Sequence, residues 1–315
     1  MRSLMVWMAA GVALAQGPAP LEDVRIRILS TMLSDSAGVG EWGFAAVVEA
    51  GGRRILFDTG ARPETVWKNT QEMKVDLSTI TDVILSHNHG DHTGGLITLR
   101  RELGKVNAKA LTKAHVGKGA FYPRPGANGA ERNHLLTIRE EYLKLGGSFV
   151  EYEGAKEIFP GAWLTGPVER VYQERNWSGG GLLVRPGGEK VEDNLPEDMS
   201  LVLNTVKGLV VISGCGHAGI INTLEQARRV VRKAPVHAAI GGWHLFAASD
   251  EHLAWTGGKM KEMGVENFVG AHCTGIEAVY ELRRHIGLKR RNCVVGGVGA
   301  SFGLKEGIVA GALAR

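Results

Sequence analysis

Apolar and β-branched runs closed by glycine or polar residues recur at 24–30, 44–49, 54–58 and 81–86, a spacing that predicts short strands in a meander. Helical periodicity follows at 96–103 and 131–145, and strand-like runs return at 148–152, 162–165, 181–185 and 199–205. The last third alternates more regularly, with strands expected at 209–213, 236–241, 267–271 and 293–298 and helices at 220–233, 252–263 and 276–285. No repeat of fixed period and no Pro- or Ser-rich linker breaks this order. A single α/β domain over 24–315, with mixed sheets covered by helices, is the expected architecture.

Composition supports a sizeable core, since 44% of the 315 residues are hydrophobic and 22% charged. The 44 glycines, about twice the usual share, sit at the ends of apolar runs and point to many tight turns. Residues 1–15 change the picture of location. Arg2 precedes an apolar run from Leu4 to Ala15 that ends in Ala13-Leu14-Ala15, the shape of a cleaved signal peptide. A secreted or periplasmic protein follows from this, with an uncleaved anchor as the alternative; the run is too short for an ordinary membrane span. Three cysteines, Cys215, Cys273 and Cys293, form no CxxC pair, so a disulfide framework is not expected. The net charge of +4 says little about partners on its own, and no nucleic-acid partner is expected; residues 100–144 carry ten Lys and Arg against four Glu, a local basic face or a solvated helical surface. The sequence does not specify an oligomeric state.

The densest chemistry is SHNHGDH, residues 86–92, which holds three of the 11 histidines. His87 and His89, two apart at the end of a strand, can project to one side while Asn88 faces away. Gly90 would let the chain bend so that Asp91 and His92 face the same space. Imidazoles crowded together in a core resist protonation and each needs a partner, so this spacing points to metal ligation. Three more histidines share one local design, an apolar strand and a turn followed by His: His217 in SGCGHAG, His244 in IGGWHL and His272 in AHCTG. Those three could meet the first cluster at one edge of the sheets. His115 and His134 lie in the basic region as candidates for substrate contact, and His237, His252 and His285 read as surface residues.

H-x-H-x-D-H at His87, His89, Asp91 and His92, preceded by LFDTG at 56–60, resembles the signature of the metallo-β-lactamase fold superfamily. The resemblance implies an αβ/βα four-layer sandwich of two mixed sheets flanked by helices, with two divalent metal ions at the sheets' upper edge. It implies His87, His89 and His217 on one metal and Asp91, His92 and His272 on the other. Many members carry Gly-Asp where this chain has Gly214-Cys215; Cys215 could bridge the metals as a thiolate, or lie outside and leave water as the bridge. SGCGHAG, IGGWHL and AHCTG are also similar to a narrower branch, the dihydropterin ribofuranosylaminobenzene 5'-phosphate synthase-like proteins.

The implied function is an exported dinuclear hydrolase that acts through a metal-bound hydroxide on a small anionic substrate such as a phosphate ester. Zinc is the default for this donor set, with iron or manganese also suited to it. Asp91 would orient the hydroxide besides binding metal, and His244 could donate a proton to the leaving group or a hydrogen bond to an oxyanion. Asp58 would orient the metal loop from behind, or only cap the turn before Gly60. Arg124, Arg132 and Lys118 could hold a phosphate or carboxylate. Two rivals use the same site, a lactonase or β-lactamase-type hydrolase and a non-catalytic metal-binding protein. A serine hydrolase is excluded despite Gly299-Ala-Ser-Phe-Gly303, because no His or Asp follows Ser301 to complete its triad.

Overall fold

A computed structural model describes residues 19–174 and 181–312; the signal-peptide reading at 1–15 lies outside these residues. Among the described residues no helix is long and apolar enough to cross a membrane. Antiparallel β1 (Val24–Ser30), β2 (Ala45–Ala50) and β3 (Arg53–Phe57) are joined by parallel β4 (Asp82–Ile84), β5 (Lys113–Gly117) and β6 (Ser148–Tyr152). Helices α1 (Thr65–Glu72), the one-turn α2 (Gly90–Thr93), α3 (Leu96–Val106) and α4 (His134–Lys144) fall between them. The second half opens with β7 (Lys156–Phe159) and β8 (Ala162–Leu164), then a separate ribbon of β9 (Leu182–Val184) and β10 (Lys190–Glu192). β11 (Leu201–Thr205) and β12 (Gly208–Ser213) follow, and β13 (Val236–Gly241), β14 (Asn267–Gly270) and β15 (Cys293–Val295) extend the sheet in parallel. Helices α5 (Ile220–Val230), α6 (Asp250–Glu262) and α7 (Ile276–Ile286) connect these parallel strands. A last hairpin, β16 (Ser301–Gly303) and β17 (Gly307–Val309), returns to the first sheet beside β1.

The two sheets have eight and seven strands, and residue alternation decides what each face touches. In β2, Ala46, Val48 and Ala50 face the other sheet, while Ala45 and Val47 pack with Val66 of α1 and Leu96 and Leu99 of α3. In β12, Val210 and Ile212 join the inter-sheet core, whereas Leu209 and Val211 pack against Ile221 and Leu224 of α5 and Leu282 of α7. Both faces of the central strands are therefore buried, which is why β12 and β13 read as nearly unbroken apolar runs. The result is the expected helix–sheet–sheet–helix sandwich.

The differences from expectation are local. Helix α6 begins at Asp250 rather than 252 because Ser249 accepts a hydrogen bond from the His252 N–H and caps it. Helix α5 ends at Val230, short of 233, ahead of Pro235. Helix α1 and strand β5 were not anticipated: α1 has no side-chain cap, and β5 is the short mixed run KAHVG. His237 is not a surface residue; it lies buried in β13 with Nδ1 2.8 Å from Glu266. Ser301 of that G-x-S-x-G match opens β16, paired with Arg27.

One buried carboxylate fixes the start of α5, whose preceding turn carries His217. Gly219 offers no side-chain cap there, and Glu174 supplies it from outside. Its Oε1 accepts from the Ile221 N–H at 3.1 Å and its Oε2 from the Asn222 N–H at 2.7 Å. Burial nevertheless raises the Glu174 pKa from 4.5 to about 7, against the pull of those backbone donors. The folded state thus binds this proton more tightly than the unfolded chain, so the contribution to stability is full below pH 4.5 and is lost as pH rises through about 7. Glu174→Gln keeps an acceptor without the charge. Its melting temperature should gain on the wild type between pH 5 and pH 8; a difference that stays constant across that range would remove Glu174 as the titrating group.

Candidate metal centre

All the strand-end histidines arrive at one edge. Parallel strands β12, β13 and β14 finish side by side, with Ser213, Gly241 and Gly270 in register, and His217, His244 and His272 follow their ends. From the facing sheet, β3 leads to Asp58 and β4 to the segment His87–His92. Ring centroids of His87 lie 4.6 Å from His89, 4.2 Å from His92 and 4.8 Å from His217. Donor atoms of His87, His89 and His217 fall within 4.8 Å of one another, as do those of Asp91, His92 and His272. Cys215 joins His87 and His92 in a further overlapping group.

The local backbone explains how four neighbouring side chains converge. His87, in the bend after β4, and extended His89 face the cluster, and Asn88 points inward, where its side-chain amide donates to the buried Glu197 carboxylate. Gly90 does not bend the chain freely, as expected; it starts α2, and a Cβ there would meet only the His134 ring at ordinary distance. The helical turn, rather than glycine freedom, swings Asp91 and His92 to the same side. Three of the six non-glycine residues with left-handed backbone are Asp58, His244 and His272. Such strain costs about 1–3 kcal/mol each and concentrates at sites that use it.

Asp58 sets the orientation of two rings. Its Oδ1 accepts the Ser86 N–H at 2.7 Å, and its Oδ2 meets the Ser86 hydroxyl at 2.8 Å and His92 Nδ1 at 2.7 Å. Because the hydroxyl donates to the carboxylate, it must accept from His87 Nδ1, 2.9 Å away. Both rings therefore carry Nδ1–H and turn Nε2 toward the cluster. His87 Nε2 is buried and has no hydrogen-bond partner, and the His272 ring nitrogens make no hydrogen bond although Nε2 lies 3.3 Å from Asp91 Oδ2.

Electrostatics divide the cluster in two. Burial and the neighbouring imidazoles push His87 and His217 well below the ordinary histidine range, and burial takes His89 to about 4 against the attraction of Asp91. Those rings are neutral, with lone pairs available. Burial would also lower His92, yet Asp58 and Asp91 carry it up to about 9. Burial would raise Asp91, but His92 and His272 hold it well below the usual carboxylate range. The site thus favours positive charge between Asp91, His92 and His272, and a divalent ion would take the place of a proton. Convergent Nε2 atoms, an orphaned buried lone pair and this preference for a cation fit the residues to divalent metal.

Residues 43–215 match the family model of the metallo-β-lactamase superfamily. The chain belongs to that superfamily. It is 32% identical, over 75% of its length and 81% of the relative's, to the 7,8-dihydropterin-6-methyl-4-(β-D-ribofuranosyl)-aminobenzene-5'-phosphate synthase of Methanocaldococcus jannaschii. Among solved structures it is similar to Tm1679, a metal-dependent hydrolase of the β-lactamase superfamily, with TM-score 0.71 and 28% identity over 89% of this chain and 98% of that one. The fold is shared with the Bacillus subtilis protein YhfI at TM-score 0.56 and 12% identity, over 90% of this chain and 100% of that one.

Within the superfamily pattern the Gly214-Cys215 step is the local departure. A Cβ on Gly214 would stand 2.1 Å from Ser86 Oγ and 2.5 Å from Asp58 Oδ2, so only glycine lets the β12 loop close onto the facing sheet. Cys215 Sγ then lies 3.1 Å from His92 Nε2 and 3.3 Å from Cys273 Sγ. Burial raises the Cys215 thiol. Burial opposes ionisation of Cys273 too, but Cys215, His272 and His244 pull it well below its ordinary range.

The anion anchors are less simply placed. Arg124 is buried between Asp193 and Glu197, with Nε 2.7 Å from Asp193 Oδ2 and Nη2 2.7 Å from Glu197 Oε2. Its charge is balanced internally, and through Glu197 it braces Asn88. Lys118 pairs with Glu153 at 2.9 Å on the open surface, and Arg132 is exposed. His115 is occupied by Asp82 and Tyr152, and His134 by the Thr93 hydroxyl. Residues without sequence signal also meet here. Arg170 donates to the His217 carbonyl at 2.8 Å, and Trp42 and Phe246, half-exposed and edge to face at 5.9 Å, flank His272 and His244.

Asp58→Asn should uncouple this arrangement, since an amide has one acceptor oxygen and cannot serve both the Ser86 N–H on one side and the Ser86 hydroxyl and His92 Nδ1 on the other. Metal retention measured by chelator competition is expected to weaken about 10–100-fold, the usual cost of losing such a support. Unchanged retention would mean that Asp58 only caps its turn.

Proposed function

We propose that this chain is an exported, dinuclear metal-dependent hydrolase of a small anionic substrate, a phosphate ester or close relative. The observation that carries the reading is the pair of donor groups, His87, His89 and His217 beside Asp91, His92 and His272, which share one edge of the sandwich. Two divalent ions, zinc by default and iron or manganese as alternatives, would supply Lewis acidity and an acidified water. Asp91, held ionised by His92 and His272, would orient that water besides binding metal. His244 borders His217 with ring centroids 4.5 Å apart and is only partly buried, so it can reach a leaving group.

The relative's name joins flat rings to a phosphate, and this chain offers matching features. Trp42 and Phe246 form an exposed aromatic bracket beside the cluster, and among the described residues Arg170 has no carboxylate within ion-pair distance although it abuts the His217 loop. An aryl-bearing phosphate ester is therefore the preferred substrate class. Similarity to the Tm1679 hydrolase supports hydrolysis over synthesis.

Plasma mass spectrometry of the purified protein should find near two metals per chain, falling in both Asp91→Ala and His217→Ala. Aryl phosphodiester hydrolysis should vanish with chelator and return with added metal. Protein that takes up zinc, iron or manganese without hydrolysing phosphodiesters, phosphomonoesters or lactones would be a binding protein instead.

His244→Ala should keep its metal yet lose roughly 100-fold in kcat, the scale of a removed general acid. The deficit should be larger for alkoxide than for nitrophenolate leaving groups. Equal deficits, or loss of metal, would assign His244 to the ligand set.

A further inference from the structure

Two of the three cysteines meet at the cluster although 58 residues separate them in the chain. Cys215 follows β12 and Cys273 follows β14, so their loops must cross the end of β13 to touch. Gly242, just beyond β13, makes room for that crossing. A Cβ on it would lie 1.9 Å from the Gly214 carbonyl oxygen and 3.0 Å from Cys273 Sγ. The sulfurs stand 3.3 Å apart, both reduced and both buried at 1% exposure or less. Closing that gap to a disulfide of about 2.0 Å requires a shift of about 1.3 Å, within reach of loop adjustment.

Each sulfur is also tied to a candidate ligand. Cys215 Sγ contacts His92 Nε2, and Cys273 Sγ accepts the His244 backbone N–H at 3.2 Å, one residue after His272. Cys293 is separate, buried under α7 with its thiol toward the Val279 carbonyl. Neither Cys215 nor Cys273 offers surface to a protein or a bulky thiol. Their neighbours His89, Asp91 and His244 are partly exposed, and small molecules can enter there.

We propose that Cys215 and Cys273 form an oxidisable dithiol built into the metal-ligand edge, which hydrogen peroxide converts to a disulfide, loosening the metal seat. One cysteine sulfur attacks the peroxide O–O bond, giving a sulfenic acid and releasing one oxygen as water. The second sulfur displaces the sulfenic hydroxyl, which leaves as a second water with the remaining thiol proton. Two thiols and one peroxide yield one disulfide and two waters, the two electrons passing from sulfur to oxygen. The new bond draws Cys215 from His92 and Cys273 from the loop holding His272. The metal arm rests on the hydrolase reading above; the disulfide does not.

The test treats the full wild-type protein with hydrogen peroxide, quenches it in denaturant with an alkylating reagent, and maps the cysteines by peptide mass spectrometry. A mass loss of two hydrogens, a Cys215–Cys273 link and an alkylated Cys293 are expected, all reversed by a phosphine reductant. Cys293→Ser should behave the same way, whereas Cys215→Ser and Cys273→Ser should form no internal link. Metal retention in the oxidised protein should fall about tenfold and recover on reduction. Three alkylated cysteines after peroxide, or a link that involves Cys293, would overturn the proposal. A correct link with unaltered metal retention would overturn its coupling to the metal seat. A correct link in a protein that binds no metal would leave the dithiol standing and remove the hydrolase reading.

Discussion

The Asp58 carboxylate is fully buried, on a left-handed backbone, in an interior where an ionised group must be surrounded by donors to be tolerated. It finds them in the Ser86 amide, the Ser86 hydroxyl and His92 Nδ1. The same bonds determine which nitrogen of His87 and of His92 faces the cluster, so one satisfied charge fixes the orientation of two candidate ligands. Gly214 of the opposite sheet closes against this pair with no space for a side chain. At this edge the loop after β12 thus meets the first sheet at the Asp58–Ser86 pair. Removing one partner from so buried a network costs about 3–5 kcal/mol, an amount comparable to much of a domain's net stability.

Beside that support lies a cluster arranged against its own stability. His87, His89 and His217 are crowded until they lose their protons, while His92 holds one because Asp58 and Asp91 oppose its burial. The unpartnered Nε2 of His87 and a carboxylate held ionised make a poor core and a good cation seat. The left-handed residues Asp58, His244 and His272 add strain at the same place. Sites that violate local rules in this way keep the violation because a ligand resolves it.

The legible part of the chain is that in which one local rule suffices. SHNHGDH reads as a ligand run because four donor side chains fall within six positions, although β4 ends at Ile84 and His87 lies in the bend beyond it, and IGGWHL and AHCTG read as strand ends because apolar runs stop at glycine. The alternation of sheet and helix in the last third followed from the same periodicity. Gly90 misled because a free turn and a helix start are both open to glycine, and only contact with α4 distinguishes them. Arg124 looked like an anion anchor since its partners Asp193 and Glu197 lie about seventy residues ahead. Trp42, Phe246 and Arg170 reach the cluster by tertiary contact alone, which no spacing along the chain can reveal.

Cysteine in the place of the common bridging aspartate changes the charge balance of the ligand set. An aspartate there is ionised without assistance, whereas burial resists ionisation of Cys215. Cys273, one residue after His272, alters that balance. Two sulfurs in contact can share one proton, and His272 and His244 favour the ionised state on Cys273. The pair then contributes one negative charge beside Asp91, as a bridging carboxylate would, but carries it on soft sulfur that can be oxidised. On the dinuclear reading, the same substitution would conserve the charge opposing the metals and expose that charge to redox chemistry, which no carboxylate at this position could do.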